Sequence, residues 1–303
     1  MSERDELILE IERAKKRMEW KMAFTEPGRM IREKPATISI YSVPFSAVLF
    51  ITGFLNLQPD FLDDLGIICA LIAIAPVGIA YHLYERRRRR MEKGFIEFMR
   101  DLVDVTSAGM TLAESLVAIS RREYGALTEE VRRMARMISW GLPFNDVMQR
   151  FAERTNSMLI KRTVPLIIQA NISGGEFQEA IKMASKDATE MKILEEERRG
   201  NMLMYTIIVY IAFFVFLFVI FVLAKMFLPE FAEASASEIP SMGYSVASLS
   251  SEEITRIFFH SSIIQGFISG LIAGKMGEGS AYLGIKHSVI LVLVSYLLFT
   301  FFL

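Results

Sequence analysis

Few residues of this 303-residue chain have the types and spacing that catalysis requires. The three histidines, His82, His260 and His287, lie far apart in sequence, so their spacing does not indicate a metal site. The single cysteine, Cys69, lies in an apolar run, so the chain has no disulfide framework. No Ser/His/Asp, Cys/His or paired-carboxylate arrangement can be placed in one site. We therefore expect no catalytic residue, no metal and no cofactor, and we predict that the protein is not an enzyme.

Two segments have the composition of anion-binding sites, and neither supports that function. The run Gly270-Leu-Ile-Ala-Gly274-Lys275 looks like a phosphate loop, but its first glycine is misplaced by one residue, Met276 replaces the Ser or Thr, and no strand precedes it. The five arginines at 86–90 have the charge to bind nucleic acid, but they directly follow an apolar segment. We interpret them as a topology anchor that contacts anionic lipid head groups, and we expect no nucleic-acid partner.

A pattern that places a carboxylate at a fixed position occurs three times between residues 91 and 200. Its copies begin at Gly109, Gly141 and Gly174, and each has an apolar residue at +3, a carboxylate at +5 and an apolar residue at +7. Glycine adopts the left-handed conformation that ends a helix, and the next helix starts just beyond it. Each copy therefore predicts the turn of an αα-hairpin, with Gly109, Gly141, Gly174 and Gly175 as the turn residues. The whole stretch predicts about six helices in three hairpins.

The apolar residues of this stretch recur at helical spacing. Leu112 and Leu116 share one helix face, as do Phe144 and Met148, while the carboxylates point elsewhere. The helix before the first turn has an apolar face of the kind that packs in a core, formed by Phe95, Phe98, Met99, Leu102 and Val105. The repeat length also resembles that of tetratricopeptide arrays, but the small-residue packing code and the tryptophan of those arrays are missing.

The remainder of the chain has the hydropathy of a membrane protein. Apolar residues make up 52% of it, and the mean hydropathy is +0.34. The sequence predicts five transmembrane helices, at residues 37–57, 65–84, 202–224, 257–274 and 286–303. None of them carries a central Asp, Glu, Lys or Arg, which disfavours a transporter or a proton pump. The predicted fold is an all-α integral membrane protein with a six-helix bundle of αα-hairpins.

The distribution of charge predicts the orientation. The N-terminal segment and residues 85–200 are rich in Lys and Arg, whereas loops 58–64 and 228–256 are acidic. We predict a multi-pass cell-membrane protein with a cytoplasmic N-terminus, a cytoplasmic bundle and an external C-terminus. The predicted domains are a cytoplasmic segment 1–36, a transmembrane hairpin 37–84, a helical domain 85–200, and three spans in 201–303 with an external loop at 228–256.

Two further features predict helix packing. Residues 3–22 place Leu7, Ile11, Ala14, Met18 and Met22 on one face of an amphipathic helix. This helix would lie on the membrane surface or pack on the helical domain, and its narrow apolar stripe favours the domain. In the fourth span, Gly266, Gly270 and Gly274 lie four residues apart and permit close approach of another helix, either from the same chain, which we favour, or from another.

Three features together resemble a known family. They are the Gly-Φ-x-Leu-x-Glu-x-Leu turn after a short amphipathic helix, the Gly141-Leu-Pro-Phe turn, and the run Ile172-Ser-Gly-Gly-Glu-Phe-Gln-Glu-Ala-Ile before a helix that enters a span. They resemble the type II secretion system F domain. That family comprises the platform proteins of type II secretion, type IV pili, tight-adherence pili and the archaeal archaellum. The resemblance covers about residues 91–303, and residues 270–287 look most like the archaeal branch.

The resemblance implies a platform under a growing filament, which couples a cytoplasmic secretion ATPase to the extraction and insertion of pilin or pseudopilin subunits. Archaellum platforms usually carry two F domains, whereas this chain has one. We therefore expect a homo-oligomer or a paralogous platform subunit as a partner, besides membrane lipid. The alternative function is a membrane receptor or signalling subunit whose bundle binds a regulator.

The expected ATPase docking surface combines the bundle with the short inner loop 275–287. For any one of its charges, a merely solvated position is the plainer interpretation. As a set they are expected to control partner choice and association rate. The expected contacts are Glu114, Asp146, Glu179, Lys275, Glu278 and Lys286.

Overall fold

The computed structural model describes residues 35–56, 61–173, 177–230 and 251–302, and these ranges contain helices and no strand. The amphipathic segment 3–22, the turn glycines Gly174 and Gly175, and most of loop 228–256 lie outside the described residues. The long helices, in chain order, are α1 (Ser39–Asn56), α2 (Leu62–Ser107), α3 (Leu112–Ile119), α4 (Thr128–Ser139), α5 (Phe144–Thr155), α6 (Met158–Ser173), α7 (Phe177–Val222), α8 (Ser251–Glu278) and α9 (Ala281–Phe302).

Five of these helices, α1, α2, α7, α8 and α9, are long and apolar enough to cross a membrane, which confirms the five predicted spans. Two of them are much longer than a span. Helices α2 and α7 have 46 residues each, or roughly 69 Å, against a hydrocarbon core of ~30 Å. Helix α2 continues through the arginine run at which the second predicted span ends, because Arg, Glu, Met and Lys are all good helix formers.

The chain divides into two compact units, one formed by residues up to His82 and from Arg199, the other by Leu83–Arg198. The second unit contains the C-terminal part of α2, helices α3 to α6 and the N-terminal part of α7. These are the six helices predicted from the repeated glycine pattern. We call this unit the bundle and the other the membrane unit.

The bundle encloses one continuous apolar core. Helix α2 contributes Phe95, Phe98, Met99 and Leu102, all with no exposed surface. The rings of Phe95 and Phe151 lie 6.0 Å apart, so α2 packs directly on α5. The apolar positions of the hairpin pattern that the structure describes are buried in the same core, namely Leu112, Leu116, Phe144, Met148 and Ile181.

In the membrane unit, the glycine stripe of α8 faces α9 of the same chain. A Cβ atom on Gly270 would overlap the backbone of Ser288, and one on Gly274 would overlap the backbone of Gly284. At Gly266 the contact is looser, with the Leu291 carbonyl carbon 3.3 Å from the position of a Cβ atom. The two helices are therefore in backbone contact, which only glycine permits at these positions.

Candidate functional site

A buried ion pair joins the first and last helices of the bundle. Lys192 Nζ, on α7, donates hydrogen bonds to Glu92 Oε2 on α2 at 2.7 Å and to Glu195 at 2.8 Å. The side chains of Glu92 and Lys192 are only 4% and 8% exposed. Ser157 Oγ, at the start of α6, donates to the second oxygen of Glu92 at 2.8 Å. Both carboxylate oxygens of Glu92 thus accept hydrogen bonds from groups outside α2, one on α7 and one directly before α6.

The arginine run contributes to the same cluster, which sequence analysis did not predict. Arg88 and Arg89 both donate to Glu85, at 2.9 and 2.8 Å, and Arg88 Nε lies 3.7 Å from Glu92. Arg88 and Arg89 are thus partly buried and paired with a carboxylate of the bundle, and the interpretation of the run as a topology anchor that contacts lipid head groups stays a prediction. The remaining three arginines of the run are exposed. We name the cluster the charge clamp, and its members are Glu85, Arg88, Arg89, Glu92, Lys192 and Glu195.

The charge clamp is balanced, with three carboxylates and three cationic groups. Burial disfavours the charged form of Lys192, but its hydrogen bonds to Glu195 and Glu92 outweigh that effect and raise its pKa. Removing one member of a buried pair leaves an uncompensated charge and costs about 3–5 kcal/mol. The clamp therefore fixes α2 and α7 to one another at the end of the bundle from which both helices continue into their apolar segments.

The two predicted hairpin turns that the structure describes, at Gly109 and Gly141, lie at the opposite end of the bundle. Gly109 has a φ of +96° and Gly141 a φ of +86°, so both occupy the left-handed region that glycine tolerates. The Gln178 side-chain amide donates to the Thr106 carbonyl at 2.9 Å, which brings the start of α7 to the end of α2. The start of α5 likewise meets the end of α6, where Asn171 and Asn145 are joined by a 2.8 Å hydrogen bond.

The three carboxylates of the repeated pattern all lie at this turn end, in the first turns of α3, α5 and α7. Glu114, Asp146 and Glu179 are exposed. Glu114 also has a local structural role, because it forms a capping box with Thr111: the Thr111 backbone N–H donates to Glu114 Oε2 at 3.1 Å. Carboxylates near helix N-termini are stabilised by the helix dipole, so their positions also suit a purely structural role.

The predicted docking residues of the inner loop have different environments. Lys275 is exposed, but Lys286 forms an ion pair with Glu278, whose side chain is only 10% exposed. His287 Nε2 lies 3.6 Å from the same carboxylate, and the other nitrogen of the ring lies 2.8 Å from the hydroxyl of Tyr210 on α7. Glu278 and Lys286 are thus paired with one another within the membrane unit, with side chains 10% and 24% exposed, and their part in docking stays a prediction.

The fold also brings together two histidines that are 205 positions apart in sequence. Lys286 Nζ lies 3.2 Å from His82 Nδ1 on α2, so His82 and His287 belong to one polar network at the α8–α9 turn. Among the described residues, no group of three or more His, Cys, Asp or Glu side chains has a geometry that could hold a metal ion. The network joins α2, α7, α8 and α9 by hydrogen bonds and ion pairs.

The fold defines a helical membrane protein with a six-helix bundle. Two long helices each contribute one helix to that bundle and continue into an apolar segment long enough to span a membrane. Residues 98–224, from within α2 to just beyond α7, match the family model of Type II secretion system (T2SS), protein F. These residues therefore form a type II secretion system F domain. The glycine turns and the helix entering the third span are the features that predicted it.

Two curated relatives from Methanocaldococcus jannaschii resemble the chain. An uncharacterized protein is 24% identical over 77% of this chain, and Flagella accessory protein J is 25% identical over 68% of it. Each alignment covers 37% of the relative, so the chain matches little more than a third of the length of either protein. No solved structure matches the chain.

Proposed function

We propose that this protein is a membrane platform that couples a cytoplasmic secretion ATPase to the assembly of a type IV pilus-like or archaellum-like filament, or of a type II secretion pseudopilus. The observation that carries the proposal is the F domain itself, whose first and last helices are also membrane helices. The name of the relative Flagella accessory protein J supports the same class of machine. The role is mechanical, and the chemistry of ATP hydrolysis belongs to the partner.

The charge clamp supports a means of transmitting force. Because the clamp joins α2 to α7 where both continue into apolar segments, a load applied to the bundle reaches two spans together. The helix of α7 is unbroken from Phe177 to Val222, and Gly200 does not interrupt it. An uninterrupted helix transmits displacement, whereas a Gly/Ser-rich linker would absorb it. The partners expected to be moved by this displacement are pilin or pseudopilin subunits that contact the spans within the lipid.

The proposed orientation places the N-terminus and the bundle in the cytoplasm and the C-terminus outside. The basic residues of the bundle and the acidic loops support it. The exposed arginines of the run 86–90 then face anionic head groups of the cytoplasmic leaflet. A second copy of this chain, or a paralogous subunit, completes the proposed platform.

We further propose that the ATPase docks on the turn end of the bundle, where Asp146 and Glu179 are exposed. The test is capture of the cognate ATPase on the detergent-purified platform at physiological salt. The double variant Asp146→Lys, Glu179→Lys should lower capture by about tenfold, because charge complementarity controls partner association. Glu153→Lys is the matched control, because it makes the same change on an exposed residue of α5, at the other end of that helix.

The outcomes of this experiment distinguish an error in the docking site from an error in the proposed function. Capture of the ATPase by the parent protein but equally by both variants would place the docking surface elsewhere. Failure of the parent to capture the ATPase, together with normal filaments in cells lacking this protein, would refute the platform function. Capture of a sensor kinase or response regulator in its place would support the receptor function instead.

A further inference from the structure

An apolar cleft of about 360 Å³ lies between α2, α8 and α9 in the membrane unit. Helix α2 contributes the small residues Gly66 and Ala70 to its wall, and α8 contributes Ile264 and Phe267. Every lining residue that the structure describes is apolar or glycine except Ser288, whose hydroxyl donates a hydrogen bond to the Phe267 carbonyl at 2.7 Å. The wall thus satisfies this polar side chain internally, and its surface suits hydrocarbon rather than water.

The cleft is closed at one end by direct contact between α2 and α9. A Cβ atom on Gly78 would lie 2.8 Å from Ile285 Cγ2 and 3.2 Å from the Lys286 backbone nitrogen, so the two helices touch there. Gly78 follows Ile74, the last residue of α2 that lines the cleft, by about one helical turn. The cleft therefore ends inside the membrane unit.

The other end of the cleft leads to a polar cluster formed by Asp63, Arg256 and His260. Asp63 lies three residues before Gly66, on the face of α2 that lines the cleft. Arg256 and His260 lie eight and four residues before Ile264, on the face of α8 that lines it. Arg256 forms an ion pair with Asp63, and His260 Nε2 lies 3.6 Å from the same carboxylate. An apolar cleft thus continues into a charged group at the start of both helices.

We propose that the cleft binds one hydrocarbon chain of a membrane phospholipid, with the lipid phosphate beside Arg256 and His260. From Asp63 to Ile74 the site extends about 17 Å along α2, which is close to the ~15 Å of hydrocarbon in one leaflet. A lipid chain occupies one leaflet, whereas a partner transmembrane helix needs a contact surface that continues through both. The site is independent of the ATPase and of the filament.

The volume of the cleft supports a hydrocarbon ligand. An apolar cavity of about 150 Å³ already stays dry and binds a molecule of the size of benzene. This cleft is more than twice as large and holds a longer apolar group. Because lipid chains are as apolar as the wall, a chain gains packing but little hydrophobic energy when it enters from the bilayer. Preference for a particular lipid therefore depends on the polar cluster.

Arg256 is suited to bind a phosphate. A guanidinium has five N–H donors in a planar fork, and among the described residues that of Arg256 contacts Asp63 through Nε and Nη2. The Arg256 side chain is 60% exposed, so its other donors can reach a phosphate oxygen. His260 Nδ1 donates to the Arg256 carbonyl at 2.8 Å, which holds the imidazole at the same end of the cleft. Because Asp63 balances the charge of Arg256, we expect hydrogen bonding rather than net charge to select the head group.

Tryptophan quenching in the full-length protein tests the site. Trp20 and Trp140 are replaced by Phe, and Ile264→Trp introduces a reporter at the cleft. Titration of the detergent-purified protein with a phosphatidylcholine that carries brominated chains should quench this reporter and saturate at one lipid per protein. Ile268→Trp is the matched control, because it makes the same change one turn further along α8, at a residue that is 48% exposed and does not line the cleft. Its quenching should increase with lipid without saturating.

Two substitutions separate the chain from the head group. Ala70→Phe fills the cleft and should abolish the saturable quenching, and it should also remove the phospholipid that native mass spectrometry is expected to find on the parent protein. Ile68→Phe, on an exposed residue of α2 that does not line the cleft, should change neither measurement. Arg256→Gln should raise the half-saturating lipid concentration about fivefold, because it removes charge-assisted hydrogen bonds to the phosphate.

The alternatives have distinct outcomes. Equal quenching without saturation at both reporter positions would overturn the proposal, because it would show that the cleft contacts only bulk lipid. Quenching that disappears as the protein forms dimers would identify a second copy of the chain as the occupant. An unchanged half-saturating concentration in Arg256→Gln would overturn the position of the phosphate. If Ala70→Phe does not fold, the two reporter positions and the mass of the parent protein still decide the result.

Discussion

Replacing Lys192 with methionine tests whether the charge clamp holds the bundle together. Methionine keeps the length and apolar stem of the side chain but leaves Glu92 as a buried anion, since its side chain is 4% exposed. Loss of one partner of a buried pair costs about 3–5 kcal/mol. Arg88 Nε lies 3.7 Å from Glu92 and supplies some compensation, so we expect a value near the lower limit, about 3 kcal/mol.

The assay is hydrogen exchange of the full-length protein in detergent, followed by peptides from α2 and α7 within the bundle. A loss of about 3 kcal/mol should accelerate exchange of the amides that open with the clamp by about 10²-fold. Lys186→Met is the matched control, because Lys186 pairs with Glu190 at 3.7 Å on the same helix and its side chain is 78% exposed. An exposed pair contributes about 0–1 kcal/mol, so the control should exchange almost as the parent does.

A double variant separates charge burial from packing. Lys192→Met with Glu92→Gln removes both charges, so its cost should be smaller than that of Lys192→Met alone. If Lys192→Met costs no more than Lys186→Met, or if the two clamp substitutions simply add, the clamp is not a coupled buried pair and our account of α2 and α7 is incorrect.

Three other predictions concern separate features. Gly274→Leu should prevent α8 from packing on α9 and lower the thermal stability of the purified protein, whereas Gly200→Ala, at a helical position with open space, should be neutral or slightly stabilising. The hydrogen bond from the Thr111 hydroxyl lowers the pKa of Glu114. The contribution of this cap to folding stability is therefore complete above the ordinary glutamate pKa and is lost as the pH falls through the lowered pKa. Glu114→Gln should abolish this contribution to the acid dependence of unfolding. A cysteine at Ser120 in a cysteine-free background should react with an impermeant thiol reagent only after permeabilisation, and labelling in intact cells would reverse the proposed orientation.

The helices were predictable because their signals are local. Apolar runs of ~20 residues predict spans whatever their neighbours are, and the spacing of Phe95, Phe98 and Leu102 predicts a buried helix face. The left-handed turns at Gly109 and Gly141 follow from the same local reasoning, because a helix that ends on glycine needs no distant partner to do so.

The charge clamp was not predictable in this way. Glu92 and Lys192 are 100 residues apart, and each lies among other charged residues that are typical of a solvated surface. Which member of such a run turns inward depends on how two helices meet, and periodicity alone does not determine it. The same limit explains Glu278 and Lys286, whose mutual pairing depends on the turn that brings α9 back against α8. The sequence shows which residues are charged, but only the fold shows which of these charged side chains are buried.

The backbone contact between α8 and α9 has a consequence for how the protein responds to the thickness of its bilayer. Helix α8 has 28 residues, or about 42 Å, which exceeds a hydrocarbon core of ~30 Å. A helix longer than the core accommodates the difference by tilting, and a thinner bilayer increases that tilt. Because a Cβ atom at Gly270 or Gly274 would overlap the backbone of α9, the two helices have no space to move past one another and share any tilt. A change in lipid thickness should therefore change the angle of the helix pair as a whole.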